Sequence, residues 1–447
     1  MFLGDLTIEL NDLHTNGYNH NGEIYPFEVE NFILDAPARS LVKCCVSHGG
    51  YGACEKCTVR GVYAEDRMNY ALVGPEVQPR TDQSFANQED RVHHCGHSPL
   101  QMVNGIGLVS SFRLDTMHLL YKGAFSRLLD VLFTWEGPWN FTAENILAVT
   151  EKLLGFVVSC PGDFNRKPRK IEEYYKYKAT ELRRFLLYDG VVAFKNQMQD
   201  NIYNLFCLLH CAIYILASQH LLPNFIDQAE LFLKHFVQYS AQVFGNHFVV
   251  YNVHSLTHLV DECRMHGVVE NFSAFCYENH LKTIKETLRS GYLPLEQIVK
   301  RDSERGNNRQ VKLKSNDNSV QLFKQHIDPL EQENGHQYQK ILVNSVVFKL
   351  GEKNGCFITT DRRVAILKNI ICRNENSVLF IGNCFANTED LYNYPLNSSQ
   401  LGIFKVGGLS LVREAFPLEN ILGKCWLLKD GDSLVSIPLV HSTPLLH

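Results

Sequence analysis

The sequence predicts an α+β protein: a partial α/β core, interrupted by a large α-helical insertion and followed by a small C-terminal β-barrel-like domain. Three observations carry this. An extended run ending in FILD, with Asp35 at its close, leads into a Pro-containing turn and a short helix. Apolar residues then recur at helical spacing through most of the next two hundred positions. Beyond a polar stretch, short β-rich runs alternate with Gly, Asn and Asp.

Taken in order, GDLTIELNDL reads as a helix, and EIYPFEVENFIL as an extended segment that delivers Asp35 to a strand end. ARSLVKCCV, from Ala38, reads as a short helix that Gly49, Gly50 and Gly52 break before a CEKC turn, closing a core of residues 1–60. Residues 61–272 form the insertion: loop-like to Ser98, then helical in RLDTMHLLYKGAFSRLLDVLF, NILAVTEKLLGFVV, IYNLFCLLHCAIYILASQ, FIDQAELFLKHFVQYSAQVF and VHSLTHLVDECRMHG. A further helix returns at 273–304, a polar linker covers 305–336, and the β domain occupies 337–447 with SVVFKL, GCFITT, RVAILKNIIC, SVLFIGNCF and SLVSIPLV.

The chain has 447 residues, enough for two or three domains, and a hydrophobic content of 45% gives it an ordinary globular core. A net charge of −5 does not advertise nucleic-acid binding, so any basic surface has to be local. Fourteen cysteines are scattered irregularly, and MFLGDLTIEL lacks the build of a signal peptide. Both point to free thiols in a reducing compartment, nucleus or cytoplasm, and not to secretion. The most apolar run, Leu205 to Ala217, is too short to span a bilayer and contains His210, so no membrane is expected.

Cys54-x-x-Cys57 has the spacing that lets two thiolates reach one tetrahedral metal, although a lone pair of this kind also suits redox chemistry. The missing ligands have two sources: RVHHCGHSPL, with His93, His94, Cys95 and His97, and LDTMHLL, with Asp115 and His118 three apart. His254 and His258, four apart on a helix, suit a metal, a phosphate or simple packing. Asp35 and Glu278 are the carboxylates to single out, because hard oxygens converging at a strand end hold Mg²⁺ for phosphoryl transfer. Two basic segments interleave cations with tyrosine, as phosphate contact requires: one with Lys167, Arg169, Lys170, Arg183 and Arg184, the other with Lys282, Lys285 and Arg289. Their interspersed glutamates equally fit solvated helix faces.

In order along the chain, FILDAPARSLVKC, GYGACEKCTVRG, HHCGHSPL, LDTMHLLYKGAFSRLL, KATELRRFLLYDG, YNVHSLTHL and SAFCYENHLKTIKETLRSGY resemble transposase-derived proteins of the CACTA-related group (CACTA, Mirage, Chapaev). The resemblance covers about residues 20 to 305 and, more loosely, the C-terminal β domain. It implies an RNase H-like DDE nuclease core, DNA as partner with a homo-oligomer as a further expectation, and two-metal phosphodiester hydrolysis and strand transfer with Mg²⁺. Asp35 is then the second catalytic acid and Glu278 the third. The same resemblance implies a structural zinc held by Cys54, Cys57, His118 and one histidine of HHCGH, taken as His94, with Asp115 beside it.

On this reading the first acid is missing. Asp5, Glu9 and Asp12 lie in the expected N-terminal helix, not on a strand, so the chain is expected to be N-terminally truncated and unable to cleave DNA alone. The competing expectation is a non-enzymatic, zinc-stabilised module that binds DNA or a protein.

Overall fold

Phe32–Leu34 does form a strand, and its three residues pair in parallel with Phe112–Leu114, so that Leu34 lies opposite Leu114. These residues belong to a computed structural model that describes residues 3–71, 77–306, 320–331, 333–374 and 377–441. Asp35 ends the first strand as the N-cap of helix Ala36–Lys43; its Oδ1 accepts from the Ala38 backbone N–H at 2.9 Å, and Pro37 occupies the first turn. Ahead of it lie helix Gly4–Asn16 and an exposed hairpin, Tyr18–His20 with Glu23–Tyr25, turned on Asn21 and Gly22, both at positive φ.

The second parallel strand falls where helical spacing was expected. Phe112, Arg113 and Leu114 are all buried, so no polar face marks them as extended. Asp115 then stops the strand by accepting from the backbone N–H groups of Met117 and His118, and the chain winds into Met117–Phe125 with π-type turns before Ser126–Thr134. Residues 61–98 were expected to be loop-like, and, among the described residues, 61–111 hold only a short hairpin, Val62–Ala64 with Arg67–Asn69, a five-residue helix, Asp82–Ala86, and a 3-10 turn, Pro99–Met102.

The helical body is built on Asp200–Leu216, which is buried on all sides, and Leu222–Phe244, which buries one face. Tyr251–Ser255 packs beside Met117–Phe125, a close approach made possible by Gly123, where a Cβ would meet the Asn252 side chain at 2.5 Å, and Leu259–His266 packs against Leu222–Phe244 and the strand Phe112–Leu114. The expected returning helix is present as Phe275–Lys285, followed by Pro294–Gly306, and the first of these buries none of its residues.

The C-terminal part is one antiparallel sheet of nine strands, not a closed barrel. Cys356–Thr359 pairs with both Ile421–Asp430 and Val364–Asn374, which folds the sheet back on itself. His336–Val343, Val346–Lys349 and Gln321–His326 run on past that junction to an open edge. Gln321–His326 also lies inside the stretch expected to be a polar linker; it is a strand because it pairs with His336–Val343, while residues 307–319 of that stretch lie outside the described ones.

Sheet and helices share one core. Trp426, Leu428, Val435 and Ile437 pack into the same buried cluster as Leu209, Phe236 and Phe125. Polar contacts seal the seam: Trp426 Nε1 donates to Ser159 Oγ at 3.2 Å, Tyr214 Oη to the Pro438 carbonyl at 2.7 Å, and Lys152 pairs with Asp430 at 3.0 Å. Among the described residues no helix is long and apolar enough to cross a membrane.

Because Trp426 is fully buried at this seam, Trp426→Ala is expected to cost about 3–5 kcal/mol. Amide exchange should accelerate together in Asp200–Leu216 and in Ile421–Asp430. Acceleration confined to the sheet would mean that the two parts fold independently.

Candidate metal centre and acid cluster

The CEKC turn places Cys54 and Cys57 within 3.4 Å, sulfur to sulfur, and both are buried. Helical spacing of four puts His254 and His258 on one face, and their Nε2 atoms meet at 3.4 Å. The two pairs interlock: Cys54 Sγ lies 3.4 Å from His258 Nε2, and Cys57 Sγ lies 3.3 Å from His254 Nε2. All four ligand atoms fall within 4.8 Å of one another. A tetrahedral zinc with Zn–S of about 2.3 Å and Zn–N of about 2.0–2.1 Å has edges of about 3.3–3.8 Å. The donor set therefore fits a structural zinc in type, number and spacing.

Burial opposes ionisation of Cys54, but the hydrogen bond from Cys57 and the charges of His258 and His254 outweigh it and hold that thiol well below its ordinary range. Its partner Cys57 is pushed up by that hydrogen bond and by burial, so the two thiols titrate as a pair. Arg80 fixes the turn by donating from Nε to the Cys54 carbonyl at 2.9 Å, and a bond to Asp90 at 2.6 Å braces it.

Between the cysteines lies Glu55, buried and charged. Arg39 Nε and Lys43 Nζ, one turn apart on the helix that Asp35 caps, each donate to it at 2.9 Å, and Tyr251 Oη adds a third bond at 2.9 Å. Burial would raise the Glu55 pKa, but these two cations reverse the effect and hold it far below the usual carboxylate range. The next residue, Lys56, donates to the carbonyls of Val109 and Phe112 at 2.9 Å each and pairs with Glu262 at 2.5 Å.

His118 and Asp115, expected at the zinc, belong to a second cluster. His118 Nδ1 lies 2.5 Å from Asp115 Oδ2, and its Nε2 faces Glu278 at 3.9 Å. The hydrogen bond to Asp115 raises the His118 pKa against burial, and the negative charges of Asp115, Asp35 and Glu278 add to it. His94 is also no ligand: it packs edge-on against Phe85 at 4.5 Å, bridging Cys45 in a short β contact. The histidines that do meet the cysteines, His254 and His258, carried the right signal in their spacing; what the sequence lacked was the pairing across two hundred residues.

The acid cluster follows from the strand pair. Leu34 and Leu114 are partners in adjacent parallel strands, so Asp35 and Asp115 leave the same edge side by side. Asp115 is fully buried, and its Oδ1 accepts from the backbone N–H of Ala274 at 2.7 Å, directly before helix Phe275–Lys285; Glu278 lies on that helix's first turn. One carboxylate thus anchors the helix that carries another.

The basic residues divide. Arg183 and Lys282 line a cleft of about 610 Å³ that also contains Glu278, His118, Lys122 and Lys178. Lys170, Lys285 and Arg289 are exposed outside it. Arg184 is buried against Asp189 at 3.0 Å, Arg169 is held by Glu181 and the Tyr177 ring, and Lys167 caps the carbonyls of Cys160 and Pro161. These three were expected to meet DNA; internal partners occupy them instead.

Two outcomes follow from this geometry. His258→Ala should lose the zinc that the wild-type chain retains through gel filtration, whereas His118→Ala should keep it, both read by elemental analysis. Glu55→Gln should destabilise the chain by about 3–5 kcal/mol at pH 7, because Arg39 and Lys43 stay buried without a counter-charge. Since the folded-state pKa of Glu55 is depressed, that stability is present above the unfolded value of about 4.3 and fades as pH falls below it, so the urea midpoints of wild type and variant should converge in acid.

Comparison with known proteins bears on the sheet alone: residues 322–439 match the family model described as Domain of unknown function (DUF8592). No curated protein and no solved structure matches the chain.

Proposed function

We propose that the chain is a zinc-stapled, DNA-binding protein of transposase descent, with Asp35, Asp115 and Glu278 as the carboxylate set of an RNase H-like DDE site. The observation that carries this reading is the pair of acids at the ends of two adjacent parallel strands, with a third acid on a helix anchored to one of them. The acid missing from the sequence reading was the first of three, expected on a strand ahead of Asp35, with Asp115 assigned to the zinc. Phe112–Leu114 supplies a second such strand, and Asp115 takes the place of the missing member.

Carboxylate oxygens are the donor type that suits Mg²⁺ or Mn²⁺, and Asp35, Asp115 and Glu278 would have to close in around an ion, since Glu278 stands on the far side of His118 at 3.9 Å. When bound, such ions polarise a phosphodiester and lower the pKa of water. The chain's own residues do the rest. Lys122, Lys178 and Lys282 line the adjoining cleft and offer counter-charge to a phosphate backbone, while Arg183, which lines it too, is paired with Glu270 at 2.7 Å. Asp115 holds the Glu278 helix in place through Ala274. His118 stands between Asp115 and Glu278, one-third exposed, and its backbone N–H as well as its ring engages Asp115 Oδ2.

That engagement of Asp115 by His118 is also what favours the second reading, a non-enzymatic zinc-stabilised binding module. In that case the carboxylates serve only to fix the cleft.

Both readings predict DNA binding that weakens with salt, and Lys282→Ala should reduce the magnitude of the log–log salt slope by about 0.9. They part on nicking of supercoiled plasmid with Mn²⁺. The nuclease reading requires nicking by the wild-type chain that is lost in Asp35→Asn and in Asp115→Asn while DNA affinity persists. Binding without nicking selects the module, and an absence of DNA binding sinks both.

A further inference from the structure

One wall of the cation-lined cleft is formed by Asp163, Phe164, Asn165 and Arg166 together with His441, and the C-terminal sheet positions both parts. Lys424, buried on strand Ile421–Asp430, pairs through Nζ with Asp163 at 2.5 Å, and Asn354 Oδ1 accepts from the Gly162 backbone N–H at 2.9 Å. The Lys424 carbonyl accepts from the Leu439 N–H at 2.8 Å, which fixes how the chain leaves its last strand, Ser433–Pro438, and delivers His441 three residues on. Tyr188 then sets the chemistry of the His441 ring. Its hydroxyl oxygen accepts from the backbone N–H groups of Val440 at 3.1 Å and His441 at 3.3 Å, and burial raises its pKa, which keeps the phenol protonated. With both lone pairs engaged, the phenolic proton goes to His441 Nδ1 at 2.5 Å. The imidazole is therefore neutral with its own proton on Nε2, and burial, then the Arg183 charge, push its pKa down to about 3. Among the described residues Nε2 has no hydrogen-bond partner. The ring also borders a cavity of about 580 Å³, but its neighbours Phe164, at 5.2 Å between centroids, and Arg183 belong to the cleft side.

We propose that the C-terminal sheet takes part in DNA binding: the Nε2–H of His441 donates to a phosphodiester oxygen of a duplex lying in the cleft. This rests on the DNA-binding reading above, in either of its forms, and needs no metal at the carboxylates. The helical body supplies the cations of the cleft, Lys122, Lys178 and Lys282, and the sheet supplies a neutral donor held in one orientation. The two kinds of contact differ in a measurable way. A lysine on a phosphate displaces counterions, so its contribution falls as salt rises. A neutral imidazole adds a hydrogen bond to a charged acceptor without displacing any, and so fixes the position of the backbone instead of attracting it from a distance.

The test is titration of a fluorescent, mixed-sequence DNA duplex with the zinc-loaded full chain over a series of NaCl concentrations, in wild type, His441→Ala, His441→Phe and His441→Gln. His441→Ala and His441→Phe should weaken binding about tenfold at every salt concentration, as loss of one hydrogen bond to a charged group does, with the log–log salt slope equal to that of wild type. His441→Gln keeps a neutral N–H donor of similar reach and should recover most of the affinity. His441→Phe keeps a ring against Phe164, so it answers the question even where the alanine variant loosens the wall. Unchanged affinity in His441→Ala and His441→Phe overturns the proposal while leaving DNA binding by the lysines standing. A glutamine variant as weak as the phenylalanine one overturns the donor role. So does a loss accompanied by a smaller salt slope, like that expected of Lys282→Ala, because it marks a charged His441 or a cleft that has come apart. No binding of the duplex by wild type overturns the DNA-binding reading, and this proposal with it.

Discussion

A charged carboxylate withdrawn from water and placed between two metal-type cysteines has to bring cations to itself, and much of this molecule is arranged around that requirement. Glu55 is compensated by Arg39 and Lys43, both almost wholly buried. These come from the short helix that Asp35 caps, so satisfying one charge docks that helix and, with it, the strand end that presents Asp35. Tyr251 closes the network from the histidine side. Remove the network, and the knuckle, the acid-bearing strand and the histidine helix lose their common reference.

The same economy governs the acid cluster. Asp115 is at once a strand stop, an N-cap for the residues that follow, a partner for His118 and an anchor for the helix of Glu278. A residue with so many backbone obligations is fixed in position, which suits a site where carboxylates must be held at set spacing. The two clusters are thus different in kind. The sulfur and imidazole set is largely buried, as a structural zinc site requires, whereas of the carboxylates Asp115 is buried and Glu278 alone lines the cation-bearing cleft.

The C-terminal sheet contributes from a distance. It folds back through Cys356–Thr359, and the buried Trp426 inserts into the helical core. His441, just beyond its last strand, lines the same cleft as Glu278 and is bonded to Tyr188. The sheet therefore helps to define one wall of the cleft without supplying an acid.

How far the sequence reached can be read residue by residue. The strand ending at Asp35, the broken helix after it, the metal-type turn of Cys54 and Cys57 and the long amphipathic helices were legible, because each is written in local periodicity or turn chemistry. The strand Phe112–Leu114 was not, since three consecutive buried residues carry no alternation. Nor was the Cys/His set: His254 and His258 announce themselves as a helical pair, but their meeting with Cys54 and Cys57 depends on how the helical body folds back over the knuckle. Local pattern determined which elements form and which residues bear chemistry. Tertiary packing decided which of those residues share a site, because a metal or an acid cluster is a property of distances that sequence separation does not encode.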